Sequence, residues 1–329
     1  MSHSRREQVL GVVERLAPLL QQMESERLDI LGREAKSHRA MWVASFCWMA
    51  LCVVLLLAEV AGMLAIVMPA IGFVISVFVI YGIYVGGRKA AYVTRYKAKV
   101  LTAVTKEVQP KMNFRPHEGI SKALFKSSGI DSSRIDRYQS EDLFLGEVGE
   151  TEVYFSEVKA ERKDTSRDSD GKTKTTWHTV FDGIFFMADF HKEFDTWVTV
   201  MPDFAEKSFG WFGKKLQNFG GNVVRLENPE FEQAFVVRGG DQVAARYILT
   251  PDMQERLLEL RRFHGTSVKL AFKDSRVILT FDSRDNWFEP DFHKPSNDLR
   301  QIEGFVMELQ SCCAIVEILN LNTRIWTKT

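Results

Sequence analysis

The sequence is poor in cysteine. Four occur in 329 residues, and none is placed for a disulfide framework. Cys47 and Cys52 lie inside an apolar run, while Cys312 and Cys313 are neighbours in a predicted helix, where adjacent side chains point in different directions. No pair of thiols has two-residue spacing, so the signature of a thiol-redox or zinc site is missing. Such usage suits a reducing compartment. Net charge is missing too: 43 Lys and Arg balance 43 Asp and Glu. That balance gives no support to a general nucleic-acid binder. The chain also lacks HExxH, GxSxG, a Walker lysine loop and a dinucleotide fingerprint. An SxxK motif fails at Ser208–Trp211, because Trp211 stands where the lysine is needed.

What the chain does contain is long apolar runs. Met41–Ala58 is unbroken, and Val60–Val85 follows after Glu59. Each is about long enough to cross a hydrocarbon core of roughly 30 Å as a helix. Arg33, Lys36, His38 and Arg39 precede the first run, and Arg88, Lys89, Arg95, Lys97 and Lys99 follow the second. The positive-inside rule then predicts a two-span hairpin in the cytoplasmic (inner) membrane, with both termini cytoplasmic. Gly72 and Ser76 put two small residues on a packing face between the helices, and Pro69 is placed to kink the second.

Charged helical arms flank this hairpin. Met1–Arg39 carries Val9, Val13, Leu16 and Leu20 on one stripe, interrupted by Pro18. Arg88–Val108 offers Tyr92, Tyr96, Val100, Ala103 and Val104 to one face. The arms read equally as an anchor stalk or an oligomerisation element. The expected organisation is therefore an amphipathic cytoplasmic arm (1–40), a transmembrane hairpin (41–86), a helical stalk (87–112) and a cytoplasmic domain (113–329).

Within that last part, alternation predicts strands at Asp142–Leu145, Glu152–Val158, Thr176–Phe190, Trp197–Val200, Val223–Leu226, Phe235–Val237 and Ala244–Leu249. Glu161–Lys174, dense in charge, Ser, Thr and Gly, reads as a solvated hairpin loop. The aromatic stripe of Phe204–Phe219 reads as a core-facing helix, or as one resting on lipid headgroups. Thr250 and Pro251 open a helix to about Phe263, with Gly265 as its stop. Val268–Phe272 and Arg276–Phe281 form a hairpin, and Ser296–Leu319 is a long final helix. The fold class is α+β: a two-helix transmembrane hairpin, then a mainly antiparallel β domain with packed helices.

The tetrapeptide DFHK occurs at Asp189–Lys192 and again at Asp291–Lys294. The carboxylates and imidazoles make Asp189, His191, Asp195 and His293 the candidate catalytic groups. Asp189, His191, Asp291 and His293 are the candidate metal ligands. The competing account is that such residues at strand ends only cap turns. Asp241, Arg246 and Tyr247 read either as a polar cleft or as a structural ion pair between Asp241 and Arg246.

Three stretches carry a family resemblance: DLFLGEVGETEVYFSEV at Asp142–Val158, FDGIFFMADFHKEF at Phe181–Phe194, and RLENPEFEQAFVVRGGDQVAARYILTPDMQERLLEL at Arg225–Leu260. Over roughly residues 114–329 the chain resembles the DUF3137 family of bacterial membrane proteins, whose name records a domain of unknown function. The resemblance implies a bacterial source and an inner-membrane location, and it offers no catalytic residue, cofactor or substrate to carry over. The functional expectation is a membrane-anchored cytoplasmic binding or scaffold domain without a cofactor. Its expected partners are the lipid bilayer through Met41–Val85, a protein or lipid ligand of the domain, and a further copy of the chain, with no nucleic acid. The alternative is a membrane-attached hydrolase using the Asp and His groups of 189–195 and 291–293.

Overall fold

The computed structural model describes residues 3–57, 63–84, 87–167, 172–203, 222–265, 267–283 and 286–323. Phe204–Phe219 and Glu59 lie outside the described residues. The chain divides into two compact units: Met1–Val100 with Glu289–Glu303, and Leu101–Phe288 with Gly304–Thr329.

The helical unit holds α1 (His3–Arg15), α2 (Ala17–Leu57), α3 (Met63–Tyr84) and α4 (Arg88–Tyr96). The break before α2 falls where Pro18 fits a first helical turn, since its ring would clash with the preceding turn in a helix interior. Val9, Val12, Leu20, Met23 and Ile30 are buried along one stripe of α1 and α2. The helices α2 and α3 pack along one another. Their approach is close at Gly72, where a Cβ would stand 2.2 Å from Cη2 of Trp48.

Among the described residues, no helix is long and apolar enough to cross a membrane. This overturns the expected two-span hairpin, and with it the inner-membrane placement with two cytoplasmic termini. The physical reason lies in the charge of the helix that holds the first run. The first apolar run is only the end of a 41-residue helix whose earlier part carries Arg27, Arg33, Lys36 and Arg39.

The second unit is built on a nine-stranded sheet of order β1-β2-β3-β4-β9-β8-β5-β7-β6. Its strands are β1 (Met112–Arg115), β2 (Arg137–Val148), β3 (Thr151–Arg167), β4 (Thr173–Asp189), β5 (Val198–Pro202), β6 (Asn222–Val224), β7 (Phe235–Gly239), β8 (Lys269–Lys273) and β9 (Arg276–Asp282). Every pairing is antiparallel. A π-helical turn, Lys97–Leu101, leads into α5 (Thr102–Val108). The helices α6 (Lys122–Ser127), α7 (Pro229–Ala234), α8 (Gln242–Ile248) and α9 (Pro251–His264) follow. The last helix, α10 (Leu299–Ile318), has its first turn in the helical unit and continues into this one. Mixed helix and antiparallel sheet is thus the observed class.

Two local expectations change. Ala244–Leu249 is not a strand; Gln242–Ile248 is helical, because the carboxylate of Asp241 accepts from the amides of Val243 at 3.2 Å and Ala244 at 2.9 Å. Such a cap satisfies the orphan donors of a first turn. The charged stretch Glu161–Lys174 is mostly strand: β3 runs to Arg167 and β4 starts at Thr173. Alternating Thr and Lys suit an exposed two-stranded ribbon as well as they suit a loop.

Both faces of the central strands are covered, which explains the near-continuous apolar run of β4. On one face Phe114, Phe144, Phe155 and Phe186 form a row of rings across β1 to β4. Phe144 lies 4.6 Å from Phe114, from Phe155 and from Phe288 between ring centroids. On the other face, Phe125 of α6 joins Phe181, Phe185, Met187, Val158 and Ile278. Fully burying each ring stabilises the fold by about 2–3 kcal/mol. Gly146, at φ +152°, lets β1 close on β2: a Cβ there would stand 2.3 Å from the Lys111 carbonyl oxygen. The Sγ of Cys313 on α10 lies 3.8 Å from the Sδ of Met112. Burial holds the Cys312 thiol well above its ordinary value and pushes Cys313 up to about 12. Neither is poised as a nucleophile, which requires the thiolate.

Candidate functional site

The two DFHK copies fall in different units: Asp189–Lys192 in the sheet unit, Asp291–Lys294 in the helical unit. Asp189 ends β4 opposite Arg276, and the next residue folds back through a Phe190 amide bond to the Ser275 carbonyl at 2.9 Å. This turn brings the His191 Nδ1 to 3.3 Å from Asp189 Oδ2. The His191 Nε2 is buried and has no hydrogen-bond partner. Lys192 donates to the Tyr247 carbonyl at 3.0 Å, and its ammonium sits 4.8 Å from the Tyr247 ring centroid. Burial lowers the Lys192 pKa. Asp195 is exposed beyond the turn. A carboxylate, an imidazole and an amine are thus neighbours, but the free imidazole nitrogen faces the interior, where a solvent-borne substrate has no access to it.

In the second copy, Asp291 Oδ1 accepts from the His293 amide at 2.9 Å, the side-chain turn that the capping account predicts. Lys294 Nζ stands 3.8 Å from Asp291 Oδ2, and the His293 ring is exposed. Among the described residues no group of three or more His, Cys, Asp or Glu side chains is arranged to hold a metal ion.

The work of the second copy lies in its neighbours. Phe292 is buried edge-on to Tyr92, with ring centroids 5.4 Å apart, and Lys89 sits 5.2 Å above its ring. Around it runs a buried polar network. Tyr92 Oη and Ser296 Oγ are 2.7 Å apart, and Tyr96 Oη donates to the Ser296 carbonyl at 2.9 Å. Gln301 Nε2 donates to Tyr96 Oη at 3.3 Å, while its Oε1 accepts from the Asp291 amide at 2.8 Å. The Ser296 amide donates to Glu24 at 2.7 Å. Arg27 grips Glu24 through Nε at 3.0 Å and Nη2 at 2.7 Å, and reaches the Phe292 carbonyl at 3.4 Å. The Arg27 hydrogen bond, aided by the Ser296 amide and opposed by burial, lowers the Glu24 pKa to about 2. Burial raises both tyrosines. Lys97, itself buried, pairs with Glu289 at 2.5 Å. Satisfied buried networks of this kind fix geometry, since each unpaired member would cost a desolvation penalty. The sequence signal for it was slight: Tyr92 and Tyr96, four apart on a basic helix.

A third feature of the helical unit is its uncovered apolar side. Trp42, Val43, Phe46, Met49 and Val54 of α2, and Ile71, Val74, Ile75, Phe78 and Val79 of α3, are exposed, Phe46 at 60% and Phe78 at 75%. Large apolar side chains exposed together on paired helices mark an interaction site.

A cleft of about 500 Å³ against α9 is lined by Asn228, Glu230, Asp252, Glu255, Arg256 and Arg262, among others. Arg256 pairs with Asp252 at 2.8 Å and Arg262 with Glu230 at 3.0 Å. Asp241 caps α8, and Arg246 reaches the carbonyls of Gln242 and Arg225 at 3.5 and 3.4 Å.

Residues 179–321 match the model of the family described as protein of unknown function, DUF3137. This is the family the sequence resembles. The match takes in the whole of the quoted stretches Phe181–Phe194 and Arg225–Leu260, and leaves Asp142–Val158 outside it. No curated protein sequence matches the chain. Among solved structures, the mycobacterial trehalose monomycolate transport factor A, TtfA, is similar at 8% identity. That match covers 65% of this chain and 96% of the other, with a TM-score of 0.32.

Proposed function

We propose that the chain is a binding or scaffold protein that holds a protein or lipid partner on the apolar surface of α2 and α3. The single observation that carries this is the uncovered run of large side chains from Trp42 to Val79. Water contact there is costly, at about 25 cal/mol per Å² of apolar area. A partner that covers the surface recovers that cost. The buried network around Ser296 supports the same reading, because it fixes α2, which bears part of that surface, through the same serine that binds the tyrosines of α4. Against the hydrolase alternative, the Nε2 of His191 is buried away from solvent.

The test is affinity capture of the tagged full chain from its own cells, beside a Phe46→Asp/Phe78→Asp variant. Bound proteins and lipids are then quantified by mass spectrometry. A partner held in stoichiometric amount by the native chain and lost from the variant, with helicity unchanged, supports the proposal. Equal recovery by both chains, or no stoichiometric partner, overturns it.

A further inference from the structure

Strands β3 and β4 outrun their neighbours. On one side β2 last pairs at Arg137 with Glu161; on the other β9 last pairs at Asp282 with Gly183. Beyond these points the two strands continue as a ribbon, paired to Arg167 with Thr173. The two outer edges of this ribbon are treated differently. Along β3, the Asp136 carboxylate accepts from the Lys163 amide at 2.8 Å, and Arg134 Nη2 donates to the Lys163 carbonyl at 2.9 Å. Two side chains thereby stand in for a missing strand, a common protection of a sheet edge. Along β4, among the described residues, no strand or side chain covers the backbone from Thr173 to Val180. All of Thr173–Thr179 is exposed. That is an open edge of about 25 Å.

We infer that the open edge of β4 pairs with the same edge of a second copy of this chain, antiparallel about a twofold axis at Trp177. The sequence KTTWHTV at Lys174–Val180 is self-complementary in that register. Thr175 faces Thr179, Thr176 faces His178, Lys174 faces Val180 and Trp177 faces its own copy. No like charges stand opposite one another in that register. Cross-strand aromatic and Thr–Thr pairs are favourable, each contributing on the order of 0.2–1 kcal/mol. A shared edge of identical strands is also the usual isologous geometry of a dimer. Trp177 is prepared for it: the Arg137 guanidinium lies 4.0 Å from its ring centroid and holds the indole on one face of the ribbon.

The register sets the experiment. The full chain is purified in mild detergent, which covers α2 and α3, and its mass is followed by light scattering over a dilution series. In Thr175→Lys/Thr179→Lys, like charges face each other twice across the axis. In Thr175→Glu/Thr179→Lys, opposite charges do. Both positions are exposed, and the Thr179→Lys change faces Glu161 within the chain in either variant. The native chain is expected to run as two copies, the first variant to dissociate at least tenfold more readily, and the second to recover the native mass. A native chain that stays single at every concentration overturns the inference. So does a dimer that is the same in all three proteins.

Discussion

The Ser296 amide donates to Glu24 at 2.7 Å, joining residues 272 positions apart. The same carboxylate takes two hydrogen bonds from Arg27, whose side chain is 8% exposed. Replacing Glu24→Ala leaves a nearly buried guanidinium without its carboxylate and a buried amide without its acceptor. Hydrogen bonds to charged groups contribute about 1.5–3 kcal/mol, and Glu24 keeps some solvent screening, so the expected loss is about 2 kcal/mol. Urea unfolding of native and variant chains checks it.

Glu24 also sets an acid limit. Its folded pKa of about 2 lies below the ordinary 4.5, so the folded state binds fewer protons than the unfolded one between these values. The contribution is complete above pH 4.5 and is lost as pH falls through 2. A Glu24→Gln chain should show a shallower loss of stability over pH 4.5 to 2 than the native chain, read from melting temperatures at fixed ionic strength.

His264 predicts a second window at milder pH. Its ring lies 4.3 Å from that of Phe281, and burial lowers its pKa from 6.5 to about 4, against a partial gain from a bond to the Ser311 backbone. The folded state therefore resists protonation that the unfolded chain accepts. Stability is full above pH 6.5 and falls as pH drops toward 4, by about 3 kcal/mol at most. In His264→Phe the slope over that window should disappear, whatever the change in stability at neutral pH.

Phe144 sits at the centre of the ring row, 4.6 Å from three other phenylalanines. Phe144→Ala removes a fully buried ring and leaves a cavity between strands that cannot collapse. The expected cost is about 3–5 kcal/mol, measurable by denaturant unfolding of the sheet unit's near-ultraviolet signal.

Gly72 and Trp48 should behave as a coupled pair. A side chain on Gly72 meets the Trp48 indole at 2.2 Å, so Gly72→Val should destabilise the helix pair by about 1–3 kcal/mol. Trp48→Ala in the same chain removes the clash. A double-mutant cycle that gives no coupling would show that the two helices do not meet there.

The parts of this fold that were legible in the sequence are those written in local chemistry. Thr250 and Pro251 announce α9, and the Thr250 Oγ1 does accept from the Met253 amide at 3.4 Å. The β8–β9 turn was visible as Lys273–Ser275, where Asp274 and Ser275 take φ of +51° and +55°. Gln242–Ile248 misled because AARYIL looks extended until its Asp241 cap is weighed. The ribbon beyond Glu161 was hidden because exposed strands on both faces lack an apolar period. Hardest of all was the placement of Glu289–Glu303 with the helices. Its anchor residues, Phe292, Ser296 and Gln301, recognise partners that lie near positions 24 and 92, and no spacing rule reports a match so remote.

The Ser296 network has a consequence for how the chain is made. Glu24, Arg27, Tyr92 and Tyr96 leave the ribosome about 200 or more residues before the segment that satisfies them. At about 5–20 residues per second, the interval from residue 24 to residue 296 is on the order of 15–50 s. Throughout that time a paired carboxylate and guanidinium and two tyrosines wait without the segment that closes over them. A nascent chain stalled before Ser296 should therefore be more open to protease at α2 and α4 than one that has passed it, which makes the arrival of Phe292–Ser296 the step that completes the packing of those two helices.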